Sequence, residues 1–496
     1  MFVAPLLHGG ATDQAIFWLN VLAYLMGGFW IAELLLRRRR PHVPIVMLVV
    51  AVWIMLQGWA MALNAKAIFD DDFMSFAPLE SAFSRLPGAM DGPSAVQVMI
   101  RTGALMLVLF VACDLAQSTR WLRRITTCMA VSGIAIALIG LWQKSSPNSL
   151  QIWQVERIPE TVFGPFWYHG NAATLLNLAW PLVLARVIWA FQDEGRHLEK
   201  ALWTVGLGAI FAGLLLNISK AGHLLAGVLG VVVGILFLLR LKPLIAEIGW
   251  KLFTAYTVLA VLALTAVFVA VDPVRSITRW DEFLSRSGGD SRLDTARIVI
   301  GMLPQAGWFG FGPGSFLGVF NRHVISLGVE PTANWKDAHN DPLQYLFEWG
   351  YLGGVAWALL WLYPLARAFA HFYTAGRAAM GIEMKRTRRS RQRWHRSYEA
   401  LRQNLLLWAS LAFVGVLLHA CIDFPLQIMS LQIWALALAG VLVSSPSTDS
   451  VPHQEDRQSA FAHSIPELPT SQSAGGDDRK PGALASRRGM SQRSEG

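Results

Sequence analysis

Apolar runs of about twenty residues recur along this chain as far as position 444. A run of that length crosses the hydrocarbon core of a bilayer as a helix. The runs are continuous rather than alternating, so helices, not barrel strands, must satisfy the backbone within lipid. Only 15% of the 496 residues are charged and 54% are hydrophobic; a soluble domain carries about 25% charged residues. The expected fold is all-α, a polytopic transmembrane helix bundle. About eleven spans are expected, near 15–36, 43–63, 95–115, 124–142, 169–190, 201–218, 221–239, 252–271, 349–370, 404–422 and 426–444. Arg101 interrupts the third.

Basic residues set the orientation. Arg37 to Arg40 follow the first span, and Arg120, Arg123 and Arg124 the third. Arg196 and Lys200 follow the fifth, Arg240 and Lys242 the seventh, and Lys385, Arg386, Arg388, Arg389, Arg391 and Arg393 the ninth. Every second connection is basic, as cytoplasmic loops are, which puts the N-terminus outside and the C-terminus inside. The net charge of +9 reflects this topology and calls for no nucleic-acid partner. The first 36 residues lack Lys and Arg, so no cleavable signal peptide is expected. Cys113, Cys128 and Cys421 fall in apolar spans and read as small core residues without a disulfide framework.

The chain divides into spans one to eight (1–271), a large outer loop (272–341), spans nine to eleven (342–444) and a tail (445–496). The tail is rich in Ser, Gln, Gly and charge and reads as disordered and cytoplasmic. The basic loop at 372–402 reads as solvated and drawn to anionic lipid headgroups.

Loops as long as 272–341 are usually functional. This one carries Arg275, Arg279, Arg286, Arg292, Arg297, Arg322 and Lys336, beside Asp281, Glu282, Asp290 and Asp294. Ordinary surface charge is one reading and an anion site the other, for which the planar arginine fork is suited. Leu293, Ile298, Ile300 and Leu303 give an amphipathic stretch after Ser291. Gly307-Trp308-Phe309-Gly310-Phe311-Gly312-Pro313-Gly314-Ser315 then forms a glycine-rich turn. With no Walker lysine behind it, a structural role is favoured over phosphate binding.

That loop ends in Ala338-His339-Asn340, and nine residues separate Asn340 from Gly350-Tyr351-Leu352-Gly353. Histidine suits proton transfer near neutrality. Two readings stand: an interfacial residue capping a helix, and a base facing water on one side and a lipid-borne substrate on the other. Arg101, His169, His223 and His419 lie in or beside spans, where ionisable residues are functional suspects. Asp423 reads as orienting a short outer turn with Pro425.

These pieces together resemble the O-antigen ligase/O-antigen polymerase superfamily. The resemblance rests on Ser291-Arg292-Leu293, the Gly310 to Phe316 turn, and Ala338-His339-Asn340 with Gly350 and Gly353. Asn171 ahead of Trp180-Pro181-Leu182, Ser219-Lys220-Ala221-Gly222 and His419-Ala420-Cys421-Ile422-Asp423-Phe424-Pro425 add weaker matches. Lys220 stands where the family usually has arginine, keeping charge but losing the bidentate fork.

The resemblance implies a multi-pass protein of the bacterial inner membrane with a periplasmic active face. It implies a glycosyltransferase of lipopolysaccharide or other polysaccharide biosynthesis. The donor would be a glycan on undecaprenyl diphosphate, and the acceptor the lipid A core or another glycan. His339 would take the acceptor proton, with attack inverting the anomeric centre, and Arg292 would stabilise the diphosphate with Arg297 or Lys220. Asn340, Gly350, Gly353 and Asn171 would support the site. No cofactor and no metal is expected, since no outward carboxylate or His/Cys cluster is apparent. Ligase and polymerase share this donor chemistry. The His-Asn spacing leans toward ligase-like members, and a transporter of lipid-linked sugar is the alternative outside the enzymes.

Overall fold

The computed structural model describes residues 1–145 apart from position 82, then 161–191, 197–239, 291–327, 335–382 and 391–444, with isolated positions around 254. The eighth expected span, the start of the outer loop at 272–290, the middle of the basic loop and the tail lie outside the described residues, save those isolated positions.

A short helix, Val3–Leu6 (α1), precedes Asp13–Leu36 (α2) and Ile45–Leu63 (α3). Gly92–Leu115 (α4), Thr119–Ser145 (α5), His169–Phe191 (α6), His197–Leu216 (α7) and Lys220–Leu239 (α8) follow. Beyond the undescribed stretch come Ser291–Ala306 (α9), Phe316–Ser326 (α10), Asp341–Ile382 (α11), Arg391–Ala420 (α12) and Met429–Val443 (α13). Among the described residues nine helices are long and apolar enough to cross a membrane: α2 to α8, α11 and α12. The fold is the expected all-α polytopic bundle.

The eleventh expected span is α13, only 15 residues long and buried at every one of them. A helix apolar on all sides belongs at the centre of a bundle, and α13 packs on α4, α11 and α12. The Arg101 interruption does not break α4. Its Nη1 donates to the Gln427 carbonyl at 3.1 Å, so the charge is met inside the bundle.

The two ends of the bundle differ. At one, Arg39 donates to both oxygens of Asp114 at 2.9 and 2.6 Å, and Arg402 to the Ala116 carbonyl at 2.8 Å. The starts of α6, α8, α11 and α13 lie at the other, with the ends of α7 and α12. Helix α11 continues to Ile382 and α12 begins at Arg391, so the basic connection expected over 372–402 is helical at both edges.

One departure from the all-helical expectation is an antiparallel hairpin, Ala67–Asp70 (β1) with Ser75–Pro78 (β2). Its tip is an Asx turn: Asp70 Oδ1 accepts from the Asp72 and Phe73 amides at 3.0 and 3.2 Å.

Helix α11 is not continuous. Gly350 adopts φ 64° and ψ −169°, breaking the helix at the start of the expected span 349–370. The glycine-rich turn docks on this break through backbone pairs. Phe311 donates to Phe347 at 3.0 Å, Gly312 to Glu348 at 2.8 Å, and Leu352 to Trp308 at 3.0 Å. A Cβ at Gly350 would lie 2.5 Å from the Phe309 nitrogen, so glycine alone fits both the torsion and the approach.

Candidate functional site

Asn340 starts the construction of the site. Its Oδ1 accepts from the Leu343 amide at 3.0 Å, capping α11, while Nδ2 donates to the Cys421 carbonyl at 2.7 Å. Asp341, fully buried, accepts from the Leu426 amide and the Gln427 amide group, both at 2.8 Å. Two adjacent residues thus clamp the α11 start onto the turn after α12, which brings His339 against Asp423.

His339 Nδ1 lies 3.0 Å from Asp423 Oδ1. The carboxylate can only accept, so Nδ1 carries the hydrogen and Nε2 is left as the basic nitrogen. The ring is fixed on both sides: Phe424 meets it edge-on at 4.7 Å and Trp335 at 5.3 Å. His339 also sits at φ 51°. A non-glycine residue in this region costs about 1–3 kcal/mol, and such strain clusters at functional sites.

Asp423 is the hub. Its Oδ2 accepts from the Tyr168 hydroxyl at 2.9 Å, and Arg292 Nη2 stands 3.8 Å from the same oxygen. His419 Nε2 lies 3.9 Å from it, with His419 Nδ1 held by Thr174 Oγ1 at 2.8 Å. Burial would push the Asp423 carboxyl up, but the His339 hydrogen bond and the Arg292 and His419 charges outweigh it and hold the carboxyl below its ordinary range. Arg292 donates Nη2 to the Tyr168 oxygen at 2.7 Å and Nη1 to the Ile422 carbonyl at 3.3 Å. Burial, with the Asp423 charge second, raises the Tyr168 phenol, so it remains protonated. Gly170 lets α6 come this close: a Cβ there would lie 2.7 Å from Asp423 Oδ2. An imidazole paired to a carboxylate, with a guanidinium beside the pair, can accept a proton and stabilise an anion within one small volume.

Of the residues singled out in the sequence, His339, Arg292 and Asn340 are brought together here. Asn171 is buried in the first turn of α6, its amide donating to the Tyr168 carbonyl at 3.1 Å. Lys220 opens α8 at the same end, where Asn217 of the preceding turn donates to the His169 carbonyl at 3.0 Å. Gly350 and Gly353 shape the α11 break rather than line the cluster; a Cβ at Gly353 would meet Gln57 Nε2 at 3.0 Å.

Arg297 does not join the cluster. It pairs with Asp294 at 2.9 Å on an exposed surface, the two side chains 76% and 57% accessible. Residues five apart on a helix are rotated by about 140°, so Arg297 faces away from where Arg292 points. Two members were missed or misjudged from sequence. Tyr168, the last of three consecutive aromatics (Phe166, Trp167, Tyr168) before a helix, carried no pattern. Asp423 sat in a noted motif but was assigned only to its turn.

Fold and site define a multi-pass helical membrane protein with a His–Asp pair and an adjoining arginine at one end of the bundle. Residues 205–358 match the family model described as O-antigen ligase, so over that segment the chain is similar to O-antigen ligases. No curated protein matches the chain. The matched segment contains Lys220, Arg292, Arg297, His339, Asn340, Gly350 and Gly353; Tyr168, Asn171 and Asp423 lie outside it.

Proposed function

We propose that this chain is an O-antigen ligase-like glycosyltransferase that moves a glycan from undecaprenyl diphosphate to an acceptor sugar hydroxyl at the periplasmic face of the inner membrane. The observation that carries the reading is the His339–Asp423 hydrogen bond of 3.0 Å with Arg292 3.8 Å from the same carboxylate. His339 Nε2 takes the proton from the acceptor hydroxyl as its oxygen attacks the anomeric carbon. The bond from that carbon to the diphosphate breaks, the configuration inverts, and Arg292 stabilises the charge on the departing diphosphate. Asp423 holds the tautomer that leaves Nε2 free to accept and stabilises the imidazolium that forms. The donor arrives activated by its diphosphate, so these steps call for no metal and no cofactor.

The positions of the charges support the orientation. Arg39 and Arg402 lie at the end of the bundle opposite the cluster, as do Arg120, Arg123 and Arg124 at the start of α5 and Lys200 at the start of α7. Basic connections stay in the cytoplasm, so the cluster faces out.

A polymerase would use the same donor steps with a second lipid-linked unit as acceptor. Lipopolysaccharide and exopolysaccharide profiles of a strain lacking the chain separate the two. Accumulated, unattached glycan of normal length is the outcome for a ligase acting on the lipid A core. Collapse of the long-chain ladder to single units points to a polymerase instead, and unchanged profiles would overturn the transferase reading.

A further inference from the structure

We infer that Tyr168 is a positioning residue that keeps Arg292 from closing onto Asp423, so that guanidinium and carboxylate do not lock into a direct pair and the carboxylate stays committed to His339. The inference rests on the transferase reading and assigns within it a residue that neither the family match nor the sequence motifs contain.

The geometry is that of a spacer. Arg292 Nη2 and Asp423 Oδ2 are 3.8 Å apart, beyond hydrogen-bond reach. The Tyr168 oxygen stands within 2.7 Å of the first and 2.9 Å of the second, accepting from one and donating to the other. An unobstructed arginine and carboxylate would draw in to about 2.8 Å, commonly as a bidentate pair. Such a pair would occupy both Asp423 oxygens, one of which now serves His339, and two of the N–H groups suited to a diphosphate. The phenol is itself held in place, stacked on Phe424 at 5.2 Å with a 16° interplanar angle and set at the entry to α6 by the Asn171 amide.

The test is a double-mutant cycle on the full-length chain in lipid nanodiscs, with undecaprenyl diphosphate as the probe and binding as the readout. Tyr168→Phe keeps the ring and its stacking but removes the oxygen. It should weaken binding about tenfold, as loss of a charge-assisted hydrogen-bond arrangement does. In an Asp423→Asn background the carboxamide no longer attracts Arg292, so the same Tyr168→Phe change should move binding by less than about twofold. A tyrosine that acted only by packing its ring on Phe424 would not give this dependence on the Asp423 charge. An equal loss in both backgrounds, or none in either, would overturn the spacer role while leaving the transferase reading intact. Failure of the unaltered chain to bind undecaprenyl diphosphate would instead overturn that reading, and the inference with it.

Discussion

His339 Nδ1 and Asp423 Oδ1 meet at 3.0 Å although 84 positions separate them in the chain. The pair is assembled by neighbours on both sides, Asn340 and Asp341 gripping the 421–427 turn, so its geometry is built into the ends of α11 and α12.

Replacing His339 by Ala should leave a chain of normal membrane abundance that transfers almost no glycan. General-base catalysis contributes about 10²–10⁴-fold, enough to erase a glycan ladder in a complemented deletion strain. His339→Gln, which retains hydrogen bonding without comparable basicity, should fail alike. Full complementation by either variant would make His339 a capping residue and remove the proposed base.

Arg292 and Arg297 should behave differently although they share a helix. Arg292→Ala is expected to lower transfer by about 10²–10³, the usual effect of losing a charge-stabilising donor. Arg292→Lys should restore part of this, because a point charge replaces the fork. Arg297→Ala, on an exposed pair, should change stability by at most about 1 kcal/mol and transfer little. Equal defects in ladders from Arg292→Ala and Arg297→Ala cells, at matched abundance, would contradict the division drawn from the geometry.

Two nearby carboxyls should drive stability in opposite directions with pH. Asp423 is held below its ordinary value of 3.8, so its contribution is present above pH 3.8 and is lost as pH falls through the lower folded value. Asp337 is pushed up to about 6 by burial, against the opposing Gln344 hydrogen bond. Its burial therefore costs stability above pH 6 and costs nothing below 3.8. Thermal unfolding of the purified chain across pH should show Asp337→Asn stabilising at pH 7–8, with the gain vanishing near pH 4. Asp423→Asn should be destabilising at neutral pH and should blunt the acid-side decline. A stabilising effect of Asp337→Asn that grew toward acid would reverse the sign and refute the burial account.

Sidedness follows from the two ends of the bundle. In a background without Cys113, Cys128 and Cys421, a cysteine replacing Asp72 at the hairpin tip should react with an impermeant maleimide in intact spheroplasts. One replacing Arg40 should react only after lysis. The opposite pattern would put the His339 cluster in the cytoplasm.

The spans were legible because twenty consecutive apolar residues have few other fates, and Arg101 did not obscure one because its partner lies in the bundle. Other features were hidden for specific reasons. The 67–78 hairpin has strands of four residues, too short for alternation to stand out. Arg297 stood beside Arg292 as a helper at the diphosphate, and the helical rotation that turns it away does not show in a list of cations. His339 and Asn340 were readable through their spacing to Gly350. Asp423 was visible but its partner was not, since sequence gives no distance across 84 positions. Tyr168 acts through a single oxygen, and nothing around it in the chain marks that atom.

The cluster draws on four distant stretches of chain, at Tyr168, Arg292, His339 and Asp423, and the last of these follows α12. Chains enter the membrane in order as they are synthesised, N-terminal parts first. A ribosome-bound chain whose synthesis has reached only α11 holds the histidine and the arginine but no carboxylate to orient them. On the proposed mechanism, catalytic competence is thereby deferred to the final stage of biogenesis, and a chain cut short before residue 423 would be inert however many of its helices have inserted.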